Sequence, residues 1–350
     1  MIKFFARPAV RIAVVAIFAI IIIAAPLVSS PFINYQLSIF AVFAVALLGL
    51  NIVMGYAGQV SLGQSAFLGL GAYIAAYGVS HDWPIVLVFV ACCVIPALVG
   101  TLVALAAARL RGLALAMVTI ALPIIGVPLA KRFPEFTGGS VGTTVSWLKA
   151  PDWSGLANDQ WRYYVVFIIA AVLFILGRNL VRGRIGRAFA IVKSNEAVAL
   201  AMGISPYRYK VLAFTIASLF GGAAGFLYVA IVQYTSPETL TFATSINLVA
   251  AMVIGGSASI LGSILGAAYY VLVPVAAGQI DASRTALISG AVLLAVLFLL
   301  PNGLVSLPRR IAQVIRRARQ RGNRSAPSNR PGGDTASRSK HEPEPEKQSS

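Results

Sequence analysis

Residues 12 to 80 contain no Asp, Glu, Lys or Arg, and shorter runs with the same property cover 83 to 108, 112 to 130, 163 to 177, 211 to 237, 239 to 280 and 285 to 308. An ionised side chain at the centre of a membrane helix costs about 2.5–3.5 kcal/mol, so runs this long mark where a chain can be buried in lipid. A hydrocarbon core of about 30 Å takes about 20 helical residues per pass, and the longest run holds about three passes. Only 11% of the 350 residues are charged and 58% are apolar, against roughly 25% charged in a soluble domain. The chain is expected to be an all-α, polytopic integral membrane protein.

The predicted passes are Ala9–Val28, Leu37–Met54, Gln64–Ser80, Ile85–Ala108, Leu113–Ala130, Tyr163–Gly177, Val211–Val232 and Ala286–Leu300. Between the last two, Ser245–Ala277 is interrupted by Gly255, Gly256 and Ser257 and again by Gly262. Irregular backbone at membrane depth survives only where protein or water covers it, so this stretch predicts two short arms. The sum is about ten transmembrane helices, including short or broken ones.

Charge sets the expected orientation. With the N-terminus in the cytoplasm, 23 of the 28 basic residues fall on that side, as cytoplasmic loops require. Both termini are then cytoplasmic, provided that Ser245–Ala277 enters and leaves on one face, as two short helices or as a re-entrant hairpin. Lys3, Arg7 and Arg11 before an apolar run also fit a cleaved signal peptide, but that run is long and lacks a clean small-x-small site.

Residues 1–308 form the expected transmembrane domain, and 309–350 a separate tail. The tail opens with Arg309, Arg310, Arg316, Arg317, Arg319 and Arg321 and continues in Ser, Pro, Gly and Glu, a composition that cannot bury a core. It suits an anchor against anionic lipid. The formal net charge of +17 therefore reflects membrane sidedness, and no nucleic-acid partner is expected.

The predicted spans hold no Asp, Glu or His, which argues against an intramembrane protease, a carboxylate-driven pump or a metal-dependent membrane enzyme. No GxxxxGK[ST] phosphate loop occurs, so ATP coupling would have to come from a partner. No metal site, catalytic residue or cofactor bound by this chain is expected.

Two segments carry a positive signal. The first has glycines at 55, 58, 63, 69 and 71 with polar Gln59, Ser61, Gln64 and Ser65 among them. Each glycine loosens a helix by about 1 kcal/mol relative to Ala. Gly55, Gly58, Gln59, Ser61, Gly63, Gln64 and Ser65 are therefore read as a helix break or pathway lining, with Gly69 and Gly71 as packing residues. Gly255, Gly256 and Ser257 form a second break.

The second signal is the loop 178–210. Ser194 or Asn195 can cap a helix with Glu196 in its first turn, Gly203 can stop it, and Ser205-Pro206 opens another. In the short helix Ala197 and Ala201 lie four apart, as do Val198 and Met202. A helix of about two turns is marginal alone and needs a surface, either a partner's groove or lipid headgroups contacted through Arg184, Arg187 and Lys193.

Gly186-Arg187-Ala188, Asn195-Glu196-Ala197, Ala201-Met202-Gly203-Ile204 and Tyr209-Lys210 resemble the coupling loop of ATP-binding-cassette importer permeases, in particular the M-type permease subunit of branched-chain amino-acid importers. Gly55-Tyr56-Ala57-Gly58-Gln59-Val60-Ser61-Leu62-Gly63, Ser236-Pro237-Glu238 and Gly255-Gly256 match the same family's pattern. The resemblance spans roughly residues 35 to 305. Gln64 departs from it, since many relatives carry histidine there.

The resemblance implies a multi-pass permease of the bacterial inner membrane, with no ATPase site of its own, carrying branched-chain amino acids by alternating access. Its partners would be two cytoplasmic ATPase subunits that use ATP and Mg, a second homologous permease subunit and an extracytoplasmic solute-binding protein. Arg187, Asn195, Glu196, Ala197, Ala201, Met202 and Gly203 would form the ATPase-coupling loop. Urea or short amides as cargo, or a stand-alone secondary carrier or channel, are the alternatives.

Overall fold

The computed structural model describes residues 22–107, 113–299 and 303–306. Most of the first predicted pass, the signal-peptide alternative, the domain boundary at 308 and the basic tail lie outside the described residues.

After helical residues 22–28, α1 (Pro31–Leu50) begins with Pro at its first position and continues into a π-helical turn, Asn51–Tyr56. An irregular stretch, 57–63, leads to α2 (Gln64–Ser80), followed by α3 (Ile85–Ala107) and α4 (Leu113–Arg132). α5 (Asn158–Arg182), α6 (Arg184–Ser194), α7 (Glu196–Ala201) and α8 (Pro206–Val232) come next. The described chain closes with α9 (Phe242–Gly255), α10 (Ile260–Ile280) and α11 (Thr285–Leu299). Seven helices of the described residues are long and apolar enough to cross a membrane.

Two antiparallel strands, β1 (Thr143–Thr144) and β2 (Tyr234–Thr235), pair Thr143 with Thr235 and Thr144 with Tyr234. They tie the α4–α5 connection to the end of α8. A T-shaped Trp147–Phe226 contact, with ring centroids 4.9 Å apart, supports that corner.

The bundle is built around α1 and α8. Their apolar windows are largely buried, whereas α3, α4 and α5 expose most of theirs. At 27 residues α8 is the longest helix described, about 40 Å at 1.5 Å per residue. Its middle, Gly221-Gly222-Ala223-Ala224-Gly225, carries almost no side-chain volume. A methyl group on Gly71 would collide with the Gly222 backbone, and one on Gly225 with Leu68 and Ala72 of α2. Membrane helices gain nothing from expelling water, so close backbone approach at small residues is how they adhere.

Several elements outrun their predicted bounds. α5 adds a turn at each end beyond Tyr163–Gly177, because Asp159, Arg162, Arg178 and Arg182 sit in its terminal turns, where long charged side chains reach water. The break at Gly255–Ser257 is real: α9 ends there, and Gly256 takes φ +119°. Gly262 does not break the chain again. It lies in the first turn of α10, against Gly255 and Gly256. The second arm is consequently a full helix of 21 residues rather than a short one. With Gly255 against Gly262 and Ala251 against Gly266, the two helices form an antiparallel hairpin.

Candidate functional site

The loop between α5 and α8 folds as helix, cap, short helix, glycine stop. Asn195, in extended conformation, accepts hydrogen bonds through its side-chain oxygen from the backbone N–H of Ala197 (2.8 Å) and Val198 (3.3 Å). It, rather than Ser194, is the N-cap. Gly203, at φ +75°, ends α7 in a left-handed turn that glycine enters without steric cost. Ser205 and Pro206 then start α8.

Two side chains hold this loop to the spans. Glu196 Oε1 lies 2.7 Å from Lys210 Nζ in the first turns of α8, with the lysine side chain only 10% exposed. Lys193 Nζ donates to the carbonyl oxygen of Gly55, 2.6 Å away in the π turn. Beneath them Phe189 is buried edge-on to Tyr209. Gly186 packs so closely on Val181 that a side chain there would meet its backbone. Arg187 projects outward and donates to the Arg182 carbonyl at 3.5 Å.

Of the α7 side chains Ala199 is buried and Glu196 turns onto Lys210. Ala197, Val198, Leu200 and Ala201 are exposed, as is Met202 at the C-cap, Leu200 and Met202 by about 60% each. This is a capped, tethered helix with an apolar outer surface. Lys193 does not reach toward headgroups, as sequence reading allowed; its ammonium turns back onto the π turn.

The early glycine segment sits directly below. Gly55 lies in the π turn, and Gly58 takes φ +71° with the Lys193 stem packed on it. Gly63 approaches the Thr119 carbonyl of α4, while Thr119 Oγ1 accepts from the Leu62 N–H at 3.0 Å. Gln59, Ser61, Gln64 and Ser65 are all buried. Gln59 donates to the Lys210 carbonyl at 3.3 Å, and Gln64 to the carbonyls of Ala46 (3.1 Å) and Ala217 (3.3 Å). Ser65 Oγ donates to Thr241 O at 3.0 Å and lies 2.7 Å from Ser245 Oγ. The amide oxygens of Gln59 and Gln64 are buried without a hydrogen-bond partner among the described residues.

A cavity of about 830 Å³ opens between α2, α3 and α4, lined by Phe67, Tyr73, Val99, Leu122, Ile125 and Phe136 among others. None of Gln59, Ser61, Gln64 and Ser65 lines it.

Asn51, at the start of the π turn, is not singled out by its sequence context, yet it is fully buried and ties the two glycine breaks together. Its Oδ1 accepts from Ala258 N (2.8 Å), and its Nδ2 donates to Ser259 O (2.7 Å) and Ser263 Oγ (3.1 Å). Gly255 and Gly256 are buried at this junction and Ser257 is exposed. A polar side chain in the middle of an apolar run was the available signal.

The family model described as branched-chain amino acid transport system / permease component matches residues 32–300. The chain belongs to this permease family. It is 32% identical over 260 residues to the high-affinity branched-chain amino acid transport system permease protein LivM of Salmonella typhimurium, covering 66% of this chain and 60% of that protein. The protein of the same description from Escherichia coli strain K12 is 32% identical over 253 residues, or 65% and 59%. The permease chain thus matches about three fifths of the length of these curated relatives. A solved structure of PsaBC from Streptococcus pneumoniae in complex with Fab aligns with 82% of this chain and 98% of that one, at 16% identity and a TM-score of 0.41.

Proposed function

We propose that the chain is the membrane permease subunit of an ATP-binding-cassette importer and forms the path for a small solute. Branched-chain amino acids are the preferred cargo, because both LivM relatives carry that description. The observation that carries the reading is α7, with Val198 and Leu200 exposed on a helix of six residues and Met202 exposed at its C-cap. Such a helix does not hold itself in water. Asn195 caps it, and the Glu196–Lys210 pair fixes it to the longest span, so force applied to α7 reaches the bundle.

In this reading α7 enters a groove of a cytoplasmic ATPase subunit, and closure of two such subunits around ATP and Mg moves α8. The chain itself holds no nucleotide. A second homologous permease completes the passage, an extracytoplasmic binding protein delivers the solute, and the basic tail lies against anionic lipid. The segment 55–65 and the break at 255–257 serve as the points where the passage changes shape.

Copurification tests this. The intact protein should carry ATPase subunits, and Glu196→Lys or Ala201→Asp should release them while leaving membrane insertion intact. Flux of leucine through the chain alone, independent of ATP, would instead mark a stand-alone carrier.

A further inference from the structure

The π turn Asn51–Tyr56 is gripped at both ends by groups that lie far away in sequence. At one end Lys193 of the loop donates to Gly55 O, and its aliphatic stem covers Gly58, where an added Cβ would lie 2.6 Å from Lys193 Cγ. Gln59, just beyond, is bonded to the Lys210 carbonyl, and Lys210 pairs with Glu196. At the other end Asn51 holds Ala258, Ser259 and Ser263 at the α9–α10 turn. That turn is itself conformationally tense at Ala258, a residue with a side chain held at φ +56°, beside a Gly256 at φ +119°.

Between these grips lies the least regular part of the central helix α1. π-helical turns interrupt the ordinary i→i+4 ladder and recur at functional sites, and residues 57–63 beyond it form no helix. α8, in contrast, is an unbroken helix packed on both α2 and α3. A displacement of α7 will therefore be taken up in the π turn before it bends α8.

We infer that Lys193 is a positioning residue for energy coupling: its ammonium hands movement of the loop to the π turn, and Asn51 hands it on to the α9–α10 hinge. The inference rests on the importer reading above and adds a route to it. Lys193 need not touch the solute or the ATPase. Its role is to keep the loop and the Gly55 carbonyl moving together.

The test uses the full complex with its ATPase subunits and binding protein in proteoliposomes. Lys193→Met keeps the stem over Gly58 and removes the donor; Lys193→Arg restores one. The Met variant should keep its ATPase subunits and hydrolyse ATP, while leucine taken up per ATP falls by about fivefold or more, the scale of typical coupling between sites. The Arg variant should recover part of that ratio. Hydrogen exchange adds a readout that a merely structural role would leave alone. In the wild type, a non-hydrolysable ATP analogue should change exchange at 51–59 and 256–263 together; in Lys193→Met the change should stop at the loop. Wild-type uptake per ATP in the Met variant overturns the inference, and so does loss of the ATPase subunits, which would make Lys193 a docking residue. A wild-type chain that never copurifies with ATPase subunits refutes the importer reading itself, and the inference falls with it.

Discussion

Replacing Asn51 by Leu keeps roughly the same volume and removes three hydrogen bonds at once. The bonds span 2.7–3.1 Å and join α1 to residues 258, 259 and 263. A net hydrogen bond contributes about 0.5–1.5 kcal/mol in proteins generally, and about 0.6 on average between membrane helices. Three of them give about 2 kcal/mol at the membrane average. Asn51 has no accessible surface, so the Ala258 N–H loses its protein partner, raising the expected total to about 2–4 kcal/mol. Reversible unfolding in mixed micelles with increasing sodium dodecyl sulfate reads this directly. Ser263→Ala supplies the internal control. It removes one member of the same network, so the double variant should lose clearly less than the sum of the two single losses. A loss below about 0.5 kcal/mol for Asn51→Leu, or strict additivity with Ser263→Ala, would refute the claim that one buried amide staples the two breaks together.

Two further substitutions probe the glycines. Gly58→Val places a β-branched side chain at φ +71° and against the Lys193 stem; a left-handed residue costs about 1–2 kcal/mol for any L side chain. Uptake by the reconstituted complex should fall while ATPase subunits remain bound, and normal uptake would remove segment 55–65 from the proposed route. Gly71→Val puts bulk where the Gly222 backbone lies; overpacking of this kind costs about 1–3 kcal/mol or more. Aggregation or a loss of the monodisperse peak in size-exclusion chromatography is expected, and wild-type behaviour would contradict the close α2–α8 crossing.

Local grammar was readable in the sequence wherever one residue decides its own neighbourhood. Gly203 as the stop of α7, Ser205-Pro206 as the start of α8 and Gly255–Ser257 as an interruption each follow from the conformations those residue types favour. Membership of the permease family was legible for a related reason, since its motifs are short and contiguous. Long-range polar partnerships were not legible. Asn51 and Ala258 are 207 positions apart, and hydrophobic runs say which segments enter lipid but not which faces meet. Lys193 misled for a physical reason as well. A lysine beside a membrane usually extends to water or headgroups, whereas here the Gly55 carbonyl of the π turn accepts its ammonium. The polar side chains Gln59, Ser61, Gln64 and Ser65 were foreseen as a cluster, but their enclosure depends on distant elements: Gln64 lies against Gly221 of α8, and Ser65 bonds Thr241 and Ser245 some 180 residues later.

The contact between α2 and α8 has a mechanical corollary. With no side chains interposed at Gly71, Gly222 and Gly225, backbone meets backbone at this crossing, and no rotamer change there lets one helix slide past the other. The pair behaves as a keel. Any rocking of the bundle carries the two helices together, so a movement of α8 is also a movement of α2.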